Sequence, residues 1–256
     1  MPVSVHFGLE AVSGFVLTLT RVSGALILLP LPGMQYTPQA ARIVLIVGIT
    51  FALFPTWPVV PAGTSDAAFL MALLMEASAG LLMGLALLFL AETFQLGAQV
   101  ISCQTGFSFA STFDPTSQAD SGVFQVFAQL AAGLLFFGLG IHRHLIRMLA
   151  SSADVFAVHN GQFETGSVAL LVHLGTKMFI SGVTLALPVA ALLFLVDQGL
   201  SVLGRLQSQL QLLTLAFPAK IIISLLFLGA ALTRWPGLYA SWAKQILDEL
   251  FRLVAS

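Results

Sequence analysis

Four stretches of this chain, Ile43 to Ser65, Thr93 to Phe113, Ser121 to Ile141 and Met178 to Val196, contain no Asp, Glu, Lys or Arg. Each is near the length of about 20 residues that a helix needs to cross the hydrocarbon of a bilayer. In hydrocarbon every backbone polar group must be satisfied internally, which a helix does by itself. Charged residues make up 8% of the chain, against about 25% in a soluble domain. The sequence therefore predicts an all-α, polytopic membrane protein with about six long apolar helices. A net charge of -1 provides no basic face for nucleic acid. Cys103 is the only cysteine, so no disulfide forms within the chain. Met1 to His6 lacks the basic region of a signal peptide, so the first apolar stretch is expected to be retained.

Prolines and polar clusters place the helix ends. A first helix is expected over about Leu9 to Leu29, stopped by Pro30-Leu31-Pro32-Gly33. A second covers Ala41 to Phe54 and ends before Pro55, Pro58 and Pro61. A third starts near Asp66, read as the N-cap, and runs to about Ser102. At 1.5 Å per residue it is too long for an upright crossing of a ~30 Å core, so it is tilted, broken or projects beyond the bilayer. A fourth spans Val123 to Leu149, and a polar loop follows over Ser151 to Gly166. A fifth covers Ser167 to Val196 with a kink at Pro188. A hairpin turn is expected between Asp197 and Gln211, with its second arm from Leu212 to Leu232. The more amphipathic Trp235 to Val254 lies in the interface or extends that arm.

Between the third and fourth helices, Gly106-Phe107-Ser108-Phe109-Ala110-Ser111-Thr112-Phe113-Asp114-Pro115 loses its hydrophobic periodicity. Irregular backbone at membrane depth is tolerated only where protein buries it or where it lines a watery cavity. This loop is therefore a candidate plug or lining of a pathway. Phe107, Phe109 and Phe113 supply apolar bulk, and Gly106 and Gly122 permit sharp bends at its two ends.

Arg21, Glu76, Glu92, Lys177, Asp197 and Lys220 sit inside or at the ends of apolar segments. A charge at the bilayer centre costs at least about 2.5–3.5 kcal/mol and so faces a partner or water. A proton relay would want several acids at matching depth; acids and bases here are balanced and spread out, which favours ion pairs fixing helices or subunits. Lys220 follows Pro218, whose missing donor frees a carbonyl, and is expected to contact carbonyls or acids of an adjacent hairpin. His142-x-His144 lacks a third ligand, and with Arg143 and Arg147 nearby is read as a solvated helix end rather than a metal site. Gly80-x-x-x-Gly84 lets another helix approach closely. No catalytic motif, cofactor cradle or metal-ligand set is visible.

Several motifs, in order along most of the chain, resemble the FliR family of flagellar and type III secretion export-gate proteins. They begin with Thr20-Arg21-Val22-Ser23-Gly24 and Pro38-x-x-x-Arg42. The most specific is Gln99-x-x-x-x-Gln104-Thr105-Gly106-Phe107-Ser108-Phe109-Ala110-Ser111-x-Phe113-Asp114-Pro115. Ile141-His142-x-His144-Leu145 and Leu185-x-Leu187-Pro188 follow, then Gln209-Leu210-Gln211 and Ala216-Phe217-Pro218-Ala219-Lys220-Ile221. The family pattern departs after Asp114-Pro115, where Gln118 to Gly122 lacks a proline.

The resemblance implies a FliP-like helical part over residues 1–166, with a plug loop at 105–122, followed by a FliQ-like helical hairpin part over 167–256. It implies one copy in a hetero-oligomer with FliP-like and FliQ-like subunits, alongside other export-apparatus membrane proteins. That assembly is a conduit for unfolded protein substrates in the bacterial inner membrane, at the flagellar basal body. The plug or gate would comprise Gly106, Phe107, Phe109, Phe113, Asp114, Pro115 and Gly122. Gln207, Gln209 and Gln211 would stand at the cytoplasmic entrance, and Arg21, Glu76 and Lys220 would carry intersubunit or interhelix charge. The same subunit of a virulence-type injectisome is an alternative use. A small-solute secondary transporter is a reading of a different class, supported by Pro188, Pro218 and the similarity of Ala86 to Glu92 with Ala191 to Asp197.

Overall fold

The computed structural model of the chain describes residues 9–29, 38–61, 63–106, 123–152, 165–206 and 212–255. All regular structure among the described residues is helical: α1 (Leu9–Leu28), α2 (Gln39–Ala52), a 3-10 turn (Phe54–Thr56), α3 (Asp66–Thr105), α4 (Val123–Gly138), α5 (Ile141–Ser151), α6 (Thr165–Leu206), α7 (Leu212–Leu232) and α8 (Trp235–Ala255). The protein is an all-α polytopic membrane protein. Three helices, α1, α3 and α6, are long and apolar enough to cross a bilayer; α4 with α5 and α7 with α8 form two interrupted pairs, for up to five crossings. These five are the six expected helices less α2, whose 14 residues reach only about 21 Å.

Local chemistry accounts for most boundaries and for three departures from expectation. The α3 cap is Ser65, whose Oγ accepts from the Ala68 N–H at 3.3 Å, with Asp66 the first helical residue beside the positive end of the dipole. α3 is one unbroken helix of 40 residues, so of the three options for its excess length the break is excluded. The expected fourth helix is interrupted at Leu139–Gly140, where Gly140 adopts φ +70 and its N–H bonds Phe137 O at 3.1 Å; a left-handed glycine ends a helix at little steric cost. α6 continues through Pro188 and past Asp197 to Leu206. Asp197 therefore lies inside a helical arm rather than in the hairpin turn. The second arm, Leu212–Leu232, has the expected bounds.

The described chain divides into two compact units, Met1–Phe89 with Phe136–Leu174 and Ala243–Ser256, and Leu90–Leu135 with Gly175–Trp242. In the first unit, α1 and α3 meet along a glycine seam. A Cβ on Gly24 would lie 2.9 Å from Ala77 O, one on Gly84 2.6 Å from Ala25 O, and one on Gly80 would overlap the Arg21 carbonyl. Helices this close exchange dispersion contacts between backbones, the packing that small residues permit in membranes. At the other end of α1, Phe15 stacks at 5.1 Å on Phe51 and 5.2 Å on Trp57, and Trp57 Nε1 donates to Thr50 O at 2.9 Å.

Gly80→Ala is expected to destabilise the detergent-solubilised chain by about 1–3 kcal/mol, since overpacking here must move backbone rather than a side-chain tip. Gly48→Ala on α2 meets nothing within 4 Å and should be neutral or mildly stabilising through helix propensity. Thermal melting of both variants checks the seam; equal melting temperatures would contradict it.

In the second unit the last turns of α3 pack on α6 around Ile101, Ala186, Val189 and Leu193, with Ile223 of α7 against them. Gly97 and Gly182 make a second close crossing: a Cβ on Gly97 would lie 3.2 Å from Gly182 O, and one on Gly182 3.0 Å from Thr93 O. Phe94 is fully buried among Trp235, Tyr239 and Trp242, with ring centroids at 5.2, 5.2 and 5.7 Å. This cluster joins α3 to the start of α8.

Candidate functional site

Arg21 and Glu76 are each 2% exposed. The Arg21 Nε and one terminal nitrogen donate to the two carboxylate oxygens of Glu76, the bidentate geometry that suits a guanidinium. Its other terminal nitrogen donates to Ser152 Oγ at 3.1 Å and to Leu149 O at 3.5 Å. Ser152 Oγ donates in turn to Leu149 O at 3.2 Å. One side chain of α1 thereby ties α3 to the end of α5. Gly80 stands one turn from Glu76, so the close backbone approach at Gly80 brings Arg21 within reach of the carboxylate. The five donors of an arginine exceed what one carboxylate accepts, which implied a further acceptor. The sequence offered no signal that Ser152, at the edge of a polar stretch, supplies it.

Lys220 and Asp197 form another ion pair. Lys220 Nζ meets Asp197 Oδ1 between α7 and α6, with side-chain exposures of 16% and 38%. The acid thus belongs to the other arm of the same hairpin, whereas an adjacent hairpin was expected to provide it. Asp197 lies nine residues before Leu206, about 13 Å from that end of α6. The pair is therefore inside the apolar span of α6, where each charge offsets much of the cost of desolvating the other.

Gly106 sits where α3 stops. Its φ is +87, a region glycine enters readily, and its N–H bonds Cys103 O at 3.3 Å. The preceding Thr105 is fully buried, its hydroxyl 3.0 Å from both Ile101 O and Ser102 O. Phe107, Phe109, Phe113, Asp114, Pro115 and Gly122 lie outside the described residues, as do Gln207, Gln209 and Gln211.

Glu92 and the two histidines of α5 have local partners. Glu92 Oε1 accepts from Gln95 Nε2 at 3.1 Å, one turn along α3. His144 Nδ1 is 3.2 Å from Gly140 O, and the His142 ring lies against Phe137 at 5.4 Å. Among the described residues no three His, Cys, Asp or Glu converge in a metal-holding group.

The chain has the profile of a known family. Residues 12–246 match the family described as Bacterial export proteins, family 1. The chain belongs to that family. It is similar to the flagellar biosynthetic protein FliR of Escherichia coli (strain K12), 26% identical over 93% of this chain and 89% of that protein. The FliR of Pectobacterium carotovorum is 26% identical over 95% and 92%, and that of Bacillus subtilis (strain 168) 27% identical over 84% of each. The matched residues contain α3, α6 and all but the first three residues of α1, together with the Arg21–Glu76 and Lys220–Asp197 pairs and the segment after Gly106.

Proposed function

We propose that this protein is a structural and gating subunit of the flagellar type III protein-export gate. The observation that carries this is the family match, which extends over nearly the whole chain to proteins named for flagellar biosynthesis. In this proposal the chain performs no chemistry. It forms, with FliP-like and FliQ-like subunits in the bacterial inner membrane, a conduit for unfolded export substrates at the flagellar basal body. Residues 1–166 take the FliP-like place and 167–256 the FliQ-like place; this division by kinship differs from the two compact units, into which both stretches contribute. The segment from Gly106 to Gly122 acts as the plug, with Phe107, Phe109 and Phe113 excluding water and Asp114-Pro115 setting the turn. Gln207, Gln209 and Gln211 stand at the cytoplasmic entrance. Arg21 with Glu76 and Lys220 with Asp197 hold the helices that frame the path.

Lys220→Glu tests this in a motile host that depends on the chain. The variant sets two acids side by side in an apolar span, so secretion of flagellar substrates and swimming should fall severely while the chain is still made. Asp197→Lys combined with Lys220→Glu restores opposite charges and should recover much of the export. Full export by the single variant would remove Lys220 from the gate.

A further inference from the structure

The last ten residues of α6, Asp197 to Leu206, contain four polar side chains: Asp197, Gln198, Ser201 and Arg205. At 3.6 residues per turn these four fall within an arc of about 100°. Leu203 and Leu206 occupy the opposite side. The preceding stretch of α6, Met178 to Val196, carries no charged residue, so the polar arc is a change of character within one continuous helix. Gln198, Ser201 and Arg205 are exposed, and the Asp197 carboxylate is 38% exposed although Lys220 pairs with it. The far side of the hairpin is apolar: Leu192, Leu195 and Val196 of α6 and Ile223, Leu226 and Phe227 of α7 line a groove of about 430 Å³.

We infer that the Asp197–Ser201–Arg205 face of α6 borders a water-filled space at membrane depth, the opposite face meeting apolar surroundings. A lone acid paired on one side still has lone pairs on the other, and hydrocarbon supplies no donor for them. Water satisfies Asp197, Gln198, Ser201 and Arg205 together, with no fixed geometry required of a neighbour. The Lys220 ammonium holds the Asp197 end of the arc against α7, which fixes the rotation of α6 and so the direction in which the polar arc points. The wetted face follows from α6 alone; only the identity of the space, as the wall of an export path, rests on the proposed function.

Single cysteines at Ser201, Gln198, Leu203 and Leu206, in a Cys103→Ala full-length chain, test the inference in membranes carrying the assembled complex. The probe is a permanently charged, membrane-impermeant methanethiosulfonate reagent. Only the thiolate reacts, and thiolates need water or cations around them, so Ser201→Cys and Gln198→Cys should react at least about tenfold faster than Leu203→Cys and Leu206→Cys. Equal, fast reaction at all four positions would mean that the end of α6 stands clear of the membrane, and would overturn the inference. No reaction at Ser201 and Gln198 would mean that protein covers the arc, and would overturn it as well. Recovery of the chain with its partners, scored on the same samples, reports separately on the export-gate assignment.

Discussion

Glu76→Ala is expected to cost the chain about 3–5 kcal/mol, the penalty for leaving one half of a buried ion pair without its partner. Arg21 is 2% exposed, and both carboxylate oxygens of Glu76 accept from it; water does not reach the vacancy that the truncation creates. Arg21→Ala should cost a similar amount. Arg21→Met combined with Glu76→Met removes both charges and keeps the bulk, and is expected to restore most of the stability, because such pairs often balance their own desolvation. Ser152→Ala should cost nearer 1 kcal/mol, the scale of one hydrogen bond. Thermal melting of the purified chain and its steady-state level in membranes check the series. A single truncation that costs as little as Ser152→Ala would show that Arg21 and Glu76 do not depend on each other.

Shortening the segment between Gly106 and Gly122 is expected to open an ion leak through the assembled gate. In the proposed gate three phenylalanine rings in a narrow lumen would exclude water, and their removal would leave a hydrated path. Swapping Phe107, Phe109 and Phe113 for alanine should leak as well, to a smaller extent, because the backbone still occupies space. If the segment only packed one helix end on its neighbour, the deletion would lower recovery of the complex and give no conductance. Conductance in planar bilayers and complex recovery, measured on one preparation, separate these outcomes. An intact complex with unchanged conductance would defeat the plug.

Much of this architecture was legible because hydropathy and proline act locally. The bounds of α7 and the start of α2 follow from apolar runs beside Gln and Pro clusters, and the Gly80-x-x-x-Gly84 spacing announced a close helix contact. The break at Gly140 was missed because its one signal, Gly138-x-Gly140, sits inside an uncharged run that reads as one continuous span. The end of α6 was misplaced for the opposite reason: Asp197, Gly199 and Ser201 suggest a turn, yet the helix keeps its backbone bonds for three further turns and puts its polar residues on one face. Arg21, Glu76, Asp197 and Lys220 stood out as charges among apolar residues. Their pairing did not, because partners 55 residues apart in one case and on separate hairpin arms in the other are set by tertiary packing. Ser152 carried no signal at all.

The most direct measurement is purification of the tagged chain from membranes in which FliP-like and FliQ-like subunits are co-expressed. The predicted result is one large complex containing all three, with a single copy of this chain. Expressed without them, the chain should be poorly recovered, having polar and apolar faces with nothing to cover them. A stable, monodisperse chain that leaves both partners in the flow-through would contradict its role as a gate subunit.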